Sequence, residues 1–435
     1  LYKGGEPVGA IGVISDGLYS IDLNIGDYDN DKDELIAMAG TVGFEPPFDI
    51  KGNRITVEGK TFRYTDRRIR ALKSNPANAL AYDQIAGAVG GLTPVATYFD
   101  GTIRPGTIFG TAASGYRANT NNDYGALNAF VLVDSNNQPR FPARDGTEGT
   151  PASLTANEVK TIIRNALTIA FRARGQIRRP LGSHAQVTVS IVDTNGSILG
   201  IARTPDGPVF GTDVSLQKAR TATFFSNTNA AADLIRGNLG NYWLAAKALL
   251  GPTALSDGIA FADRSGGNLS RPYMPDGVNG APHGPFSKPI AEWSPFNVGL
   301  QFDLVAANIV AHRSFLLGQS PTDTPINCTP IPVRAQTSKS PIANGIQIFP
   351  GSVPIYRNNT LIGGIGVSGD GIDQDDMISF LGLHNAGLEL GTGVGNAPRA
   401  IRADNIQTTG GRLRYVSCPF LPFLDSNEQT PCNGK

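Results

Sequence analysis

The sequence is poor in the residues that carry most protein chemistry. Its 435 residues include three cysteines, three methionines, two tryptophans and four histidines. No two cysteines form CxxC or CxxCH, which argues against a zinc ribbon and against covalently attached c-type haem. No run of about 18 apolar residues occurs, so no membrane-spanning helix is expected. Charged residues make up only 17%, and 37 basic residues balance 37 acidic ones. That neutrality leaves no electrostatic footprint for nucleic acid or an acidic membrane surface. Catalytic signatures are missing too: no G-x-S-x-G, Walker A or H-E-x-x-H is present, nor a G-x-G-x-x-G following a strand. Gly363–Gly369 resembles a dinucleotide loop only superficially. It reads as strand, and the next helix starts too late for its N-terminus to hold a pyrophosphate.

What is abundant is glycine, at 52 residues, and proline, at 30, against an apolar content of 40%. That describes a loop-rich chain with enough apolar surface for a core, and its length suggests two or three domains of roughly 150 residues. Cys418 and Cys432 flank a Pro-rich loop near the end, where a disulfide would pin a tail lacking a core of its own. With the composition, this points to a periplasmic or extracellular protein. Cys328 is the odd thiol, either buried or paired between chains.

One stretch organises the rest. Val353–Tyr356 reads as a strand, Arg357-Asn-Asn-Thr360 as a polar turn and Leu361–Val367 as a second strand. Ser368-Gly-Asp-Gly371 is an acidic loop, and Asp375-Asp376 opens a helix whose N-terminal dipole favours carboxylates. The unit occurs twice. Leu1–Val13 aligns with Ile355–Val367 without a gap, and Lys32–Ala37 aligns with Gln374–Ser379. Two related domains are implied, the first represented by its C-terminal half, which an upstream segment or another chain would complete. The loop of the first copy carries Asp27, Asp29, Asp31 and Asp33 in alternation, a pattern that suits calcium. It is not an EF-hand, because Lys32 and Met38 stand at the sixth and twelfth positions. A solvated acidic helix start is the alternative.

Along the chain, 1–74 is this half-domain, closing with a hairpin around Glu58-Gly59. Residues 75–150 read as a surface connection with one strand at Ala129–Val133. Ser153-Leu-Thr155-Ala-Asn-Glu158 is a capping box opening a helix that ends near Gly175. Val187–Val192 and Ser197–Ala202 form a hairpin around Asp193-Thr-Asn-Gly196, and Ser215–Phe225 is a second helix. Residues 226–345 read as an insertion with helical patches at Ala230–Leu239, Tyr242–Leu250 and Val298–Leu317. The domain resumes over 346–400, and 401–435 is a tail with a strand at Arg412–Ser417.

These elements, in this order, resemble the GlcG/HbpS-like haem-binding family, which includes the C-terminal domain of PduO. The resemblance rests on Leu154-Thr155, Val192-Asp193-Thr-Asn-Gly196, Arg203 with Asp206-Gly207, Lys218-Ala-Arg-Thr-Ala222, Val353-Pro354, Ile362-Gly-Gly-Ile-Gly-Val-Ser-Gly369 and Asp375-Asp376-Met-Ile378. It covers about half the chain. It implies an α+β fold: a profilin-like antiparallel sheet with flanking helices, here in one and a half copies plus a large loop-rich insertion. It also implies homo-oligomeric assembly and haem b as a cofactor. The 226–345 insertion departs from the family, where the corresponding link is short.

The candidate cofactor-binding residues are His384, on the helix after the acidic loop, His312, on the best helix of the insertion, and Lys218 and Arg220. Either cation could meet a propionate or small acid, and the plainer alternative pairs Arg220 with Asp193 or Asp370. His184 and His283 show no spacing that ties them to another ligand. Three functions follow: a secreted or periplasmic haem- or small-ligand-binding protein, a structural protein using fold and insertion as interfaces, and a small-metabolite enzyme.

Overall fold

The computed structural model describes residues 1–15, 17, 27–57, 59–85, 87, 107–120, 122–276, 278–294, 298–408 and 411–435. The front of the acidic loop (18–26), Glu58 of the hairpin turn and the 88–106 part of the expected connection lie outside them. The chain divides into two compact units, 1–93 and 94–435.

The first unit holds a hairpin of β1 (Tyr2–Lys3) and β2 (Glu6–Pro7), helix α1 (Lys32–Gly40), a second hairpin of β3 (Thr56–Val57) and β4 (Lys60–Thr61), and the short α2 (Tyr82–Ile85). Asp31 caps α1, its side chain accepting from Glu34 N–H at 2.9 Å.

The second unit is built on β5 (Tyr116–Ala118), β6 (Phe130–Leu132), α3 (Ala156–Arg172), β7 (Thr188–Val192), β8 (Ile198–Arg203) and α4 (Gly211–Ser226). Helices α5 (Ala230–Arg236), α6 (Gly240–Leu250), α7 (Asp263–Leu269), α8 (Leu300–Asp303) and α9 (Ala306–Leu316) follow. The chain then returns through β9 (Ser352–Arg357), β10 (Thr360–Ser368), α10 (Ile372–Leu390), β11 (Val394–Asn396), β12 (Gln407–Thr408) and β13 (Gly411–Arg412). Seven of these strands form one antiparallel sheet in the order β11-β9-β10-β7-β8-β6-β5. The fold is α+β, a multi-stranded antiparallel sheet with flanking helices.

Helix α3 starts where the capping box places it. Thr155 accepts from Glu158 N–H and the Glu158 carboxylate accepts from Thr155 N–H. Arg357 of β9 then clamps Glu158 at 2.8 Å. Burial opposes ionisation of Glu158, but Arg357, the Thr155 N–H and Thr392 prevail and hold its pKa at about 2. Val159, Ile162, Ile163, Ala166 and Ala170 recur at helical spacing and are all buried. They face one side of the sheet, with α10 packed beside them. The other face receives α4, and there β10 needs its glycines. A Cβ on Gly366 would collide with the Ser215 carbonyl and the Ala219 N–H, so α4 lies directly on the strand backbone. Gly366→Ala is therefore expected to lower the unfolding free energy by about 1–3 kcal/mol, as overpacking does. Urea denaturation checks it, and an unchanged midpoint would contradict this packing.

Several expectations shift. The stretch read as a surface connection adds two strands to the sheet edge: β6 appears where Ala129–Val133 predicts it, whereas Tyr116–Ala118 carries no strand pattern and is held by pairing with β6. The Val298–Leu317 helix is two, divided at Leu304–Val305. The strand expected over Arg412–Ser417 stops at Arg412. Beyond it the chain is tied by Ser417 N–H donating to Asp376 at 2.9 Å and by the Cys418–Cys432 disulfide. Cys328 is a free thiol.

One hairpin register recurs in the two units. In the first unit Tyr2 pairs with Pro7 and Lys3 with Glu6. Their aligned residues pair identically: Tyr356 with Leu361 and Arg357 with Thr360. Burial differs. Val8 is 58% exposed while its counterpart Ile362 is 2% exposed, and Ile36 is 50% exposed while Ile378 is fully buried.

Candidate functional site

Lys218 and Arg220 sit two residues apart on α4 and serve different places. Lys218, 2% exposed, donates to Asp375 at 2.9 Å and to the Val367 carbonyl at 3.0 Å. It locks α4 to β10 and α10. Around it lies a buried charge cluster. Arg264 of α7 pairs with Asp376 and Asp373 of α10. Asp263, beside Lys218 and Arg264, is wholly buried, and neither of its carboxyl oxygens has a hydrogen-bond partner among the described residues. Burial raises its pKa well above the usual range, against the pull of Lys218 and Arg264 and with the help of Asp376. Burial likewise pushes Asp375 and Asp376 up to about 6, although Lys218 and Arg264 oppose it. Three buried carboxyls share two buried cations, and burial favours the protonated form most at Asp263, the one without a hydrogen-bond partner among the described residues.

Arg220 does not pair with Asp193 or Asp370, as the plainer sequence expectation had it. Its Nε donates to the Gly196 carbonyl at 2.9 Å and its Nη1 to Asn344 Oδ1 at 2.5 Å. The V-D-x-x-G turn explains the first bond. Asp193 Oδ1 accepts from the N–H groups of Asn195 and Ser197, and its Oδ2 accepts from Thr147 N–H and hydroxyl. This folds the turn so that the Gly196 carbonyl faces α4. Gly196 has a left-handed backbone, and a Cβ there would strike the Pro341 carbonyl. Asn344 is steadied in turn by Asp213 at 2.9 Å. Asp370 instead receives Gln176 N–H at 2.6 Å and lies 3.6 Å from Arg178.

Arg220 forms the base of a cavity of about 430 Å³. Arg140, Arg144 and Lys339 stand on its rim, with Thr147, Ser197 and Thr337 between them. No carboxylate lines it, and among the described residues none of these four cations makes an ion pair. Elsewhere in this unit Arg178, Arg264, Arg334 and Arg357 are each matched by a carboxylate, whereas the buried Arg203 makes no ion pair among the described residues and lies instead over the Phe109 and Tyr116 rings. Burial lowers the pKa of Arg220 to about 10, while the more distant Asp213 and Asp193 work against that fall. A buried cation without a counter-ion is costly, and an incoming anion relieves that cost.

Arg140, Arg144 and Lys339 were not singled out from sequence. They come from the expected connection and the expected insertion, and the basic pair in Arg140-Phe-Pro-Ala-Arg144 is too weak a signal by itself.

The histidines lie elsewhere. His312 is exposed and pairs with Asp323 at 2.7 Å. His384 is half-buried on α10; burial lowers its pKa, and Lys435 and Arg402 lower it further. His184 and His283 bond to neighbouring backbone carbonyls. The acidic residues of the first unit serve local structure: Asp33 accepts from Ser15 N–H at 2.7 Å, Asp31 caps α1, and Asp29 N–H donates to Asp66. Asp27 adds to the charge around Arg63. Among the described residues no group of three His, Cys, Asp or Glu side chains could hold a metal ion.

Residues 306–383 match a family model described as haem degrading protein HbpS-like. The HbpS-like match runs from α9 into α10 and includes Asp375 and Asp376, whereas the α3 capping box, the Asp193 turn and the Lys218–Ala222 motif lie outside it. No curated protein matches the chain. Among solved structures, a PduOC–haem complex is similar at 17% identity and TM-score 0.25, over 56% of this chain and 99% of that one. Klebsiella pneumoniae protein ORFY is similar at 17% identity and TM-score 0.24, over 54% of this chain and 92% of that one. Over residues 306–383 the chain is thus similar to the HbpS-like family.

Haem iron needs an axial nitrogen, sulfur or phenolate ligand. The Arg220 cavity is lined by no His, Met, Cys or Tyr, so it fits carboxylate groups and does not fit haem iron.

Proposed function

We propose that this chain is a binding protein for a small anionic ligand, non-catalytic, with Arg220 at the base of its site. The observation that carries this reading is the cavity with four cations, no lining carboxylate and, among the described residues, no ion pair to any of the four. Calorimetric titration at low ionic strength with a panel of small carboxylates and phosphates tests it. Binding is expected, weakened at least about tenfold by Arg220→Gln, since a charge-assisted bond contributes roughly 1.5–3 kcal/mol. No heat with any anion would end the reading.

A second reading is haem b near His384. Burial favours the neutral, ligating imidazole, and Phe380, one turn away, lines a separate cavity of about 460 Å³ with Arg399, Arg402 and Tyr415. The haem in the printed names of the matched family and of the PduOC structure supports it. A Soret band in the natively purified protein that His384→Ala removes is its expected sign; a colourless protein leaves the anion reading alone.

The Cys418–Cys432 disulfide supports a periplasmic or extracellular setting, where such bonds persist. The shared hairpin register and the exposed apolar positions of the first unit support a half-domain over 1–74 that another chain or an upstream segment covers, within a homo-oligomeric assembly. The calcium proposal for Asp27, Asp29, Asp31 and Asp33 rests on the loop sequence alone, against the finding that among the described residues no group of three such side chains could hold a metal ion.

A further inference from the structure

We infer that the Arg220 cavity selects a compact oxyanion bearing two or more negative charges, a diphosphate or a di- or tricarboxylate, over a monocarboxylate. This rests on the reading of that cavity as the ligand site.

The argument begins with charge. Four cations converge on about 430 Å³, near the lower end of the range for ligand pockets, and no carboxylate lies among the lining residues. In a concave, partly desolvated site their fields add rather than being screened separately. One negative charge would leave most of that field unanswered. A multiply charged ligand neutralises the buried base and the rim together.

Donor geometry agrees. Arg220 spends Nε and Nη1 on Gly196 and Asn344, which leaves its Nη2 without a partner among the described residues. Arg144 spends Nε on the Ile198 carbonyl at 2.6 Å and keeps both terminal nitrogens. Among the described residues the side chains of Arg140 and Lys339 make no hydrogen bond; Arg140 instead lies over the Phe141 ring, 5.3 Å from its centroid. The unused donors therefore sit on separate residues around the cavity, a distribution suited to several oxygens at once. Two of the guanidinium groups are pre-set by their backbone bonds, which lowers the ordering cost of binding. The lining holds few large apolar side chains beyond Phe141, Pro142 and Ile198, so an extended apolar ligand gains little here.

The test titrates the full chain calorimetrically with acetate, citrate, inorganic phosphate and pyrophosphate at matched ionic strength. Citrate and pyrophosphate are expected to bind at least about tenfold more tightly than acetate. Arg144→Gln with Lys339→Gln, two exposed rim positions, is expected to erase that preference while leaving the thermal midpoint near wild type. Equal affinity for acetate and pyrophosphate would overturn the selectivity and leave the anion-binding reading intact. Tight pyrophosphate binding that the double substitution does not touch would overturn the assignment to this cavity. Silence with every anion, in wild-type protein shown to be folded, would overturn both.

Discussion

Lys218→Met is expected to lower the unfolding free energy at pH 7.5 by about 3–5 kcal/mol, the usual cost of stranding one partner of a buried ion pair. Methionine keeps most of the volume, so the loss reports charge rather than a cavity. Asp375 would remain buried between β10 and α10 with its Lys218 bond gone and only the 3.3 Å contact from Asp370 N–H on its carboxylate. The deficit should shrink towards pH 4.5, because a protonated Asp375 no longer needs a cation. Adding Asp375→Asn should recover much of it, and the double-mutant cycle gives the coupling directly. Urea denaturation at the two pH values reads all of this. A loss below about 1 kcal/mol at pH 7.5 would mean the pair does not hold the α4–β10–α10 junction.

Asp263→Asn is expected to act in the opposite direction and to stabilise the protein at neutral pH. Burial raises the pKa of the Asp263 carboxyl well above the ordinary carboxylate range, and neither oxygen has a hydrogen-bond partner among the described residues. Its folded pKa lies above its unfolded value. Its favourable contribution is therefore fully present below the ordinary carboxylate range and is lost as pH rises towards the folded pKa. At pH 7.5 the unfolded chain has released that proton and folding must take it up again. Asparagine has the same shape and needs no proton. The gain should be on the order of 1 kcal/mol or more at pH 7.5 and should vanish near pH 4, since each unit of pKa difference corresponds to about 1.4 kcal/mol. Asp375 and Asp376, pushed up to about 6, add a fall in wild-type stability between the ordinary carboxylate range and pH 6. If Asp263→Asn destabilises at every pH, Asp263 is ionised and serves as a counter-ion to Lys218 and Arg264.

Part of the site was legible before any coordinates. The Asp193-Thr-Asn-Gly196 turn and the Lys218-Ala-Arg-Thr-Ala222 helix are local patterns, and both form where their residues place them. The capping box at Thr155–Glu158 and the paired cysteines 418 and 432 behave likewise. The partners of Lys218 and Arg220 were not legible. Lys218 finds Asp375 across 157 positions of chain, and Arg220 finds Asn344 across 124. No local period announces such meetings. Tyr116–Ala118 makes the same point, because an unremarkable tripeptide becomes a strand through its neighbour's open edge.

By itself, the sequence determined the elements whose cause lies within a few residues. Helix starts follow from caps, strands from alternation, the hairpin turn from an aspartate and a glycine, and the repeat from direct alignment. Only the tertiary structure decided which charges are matched. It placed Lys218 in a buried pair, left Asp263 without a hydrogen-bond partner among the described residues, and gathered Arg140, Arg144, Arg220 and Lys339 around one cavity. The physical reason is range. Backbone geometry is set by neighbours in the chain, whereas burial and electrostatic pairing depend on neighbours in space, and those are chosen by the packing of the whole unit.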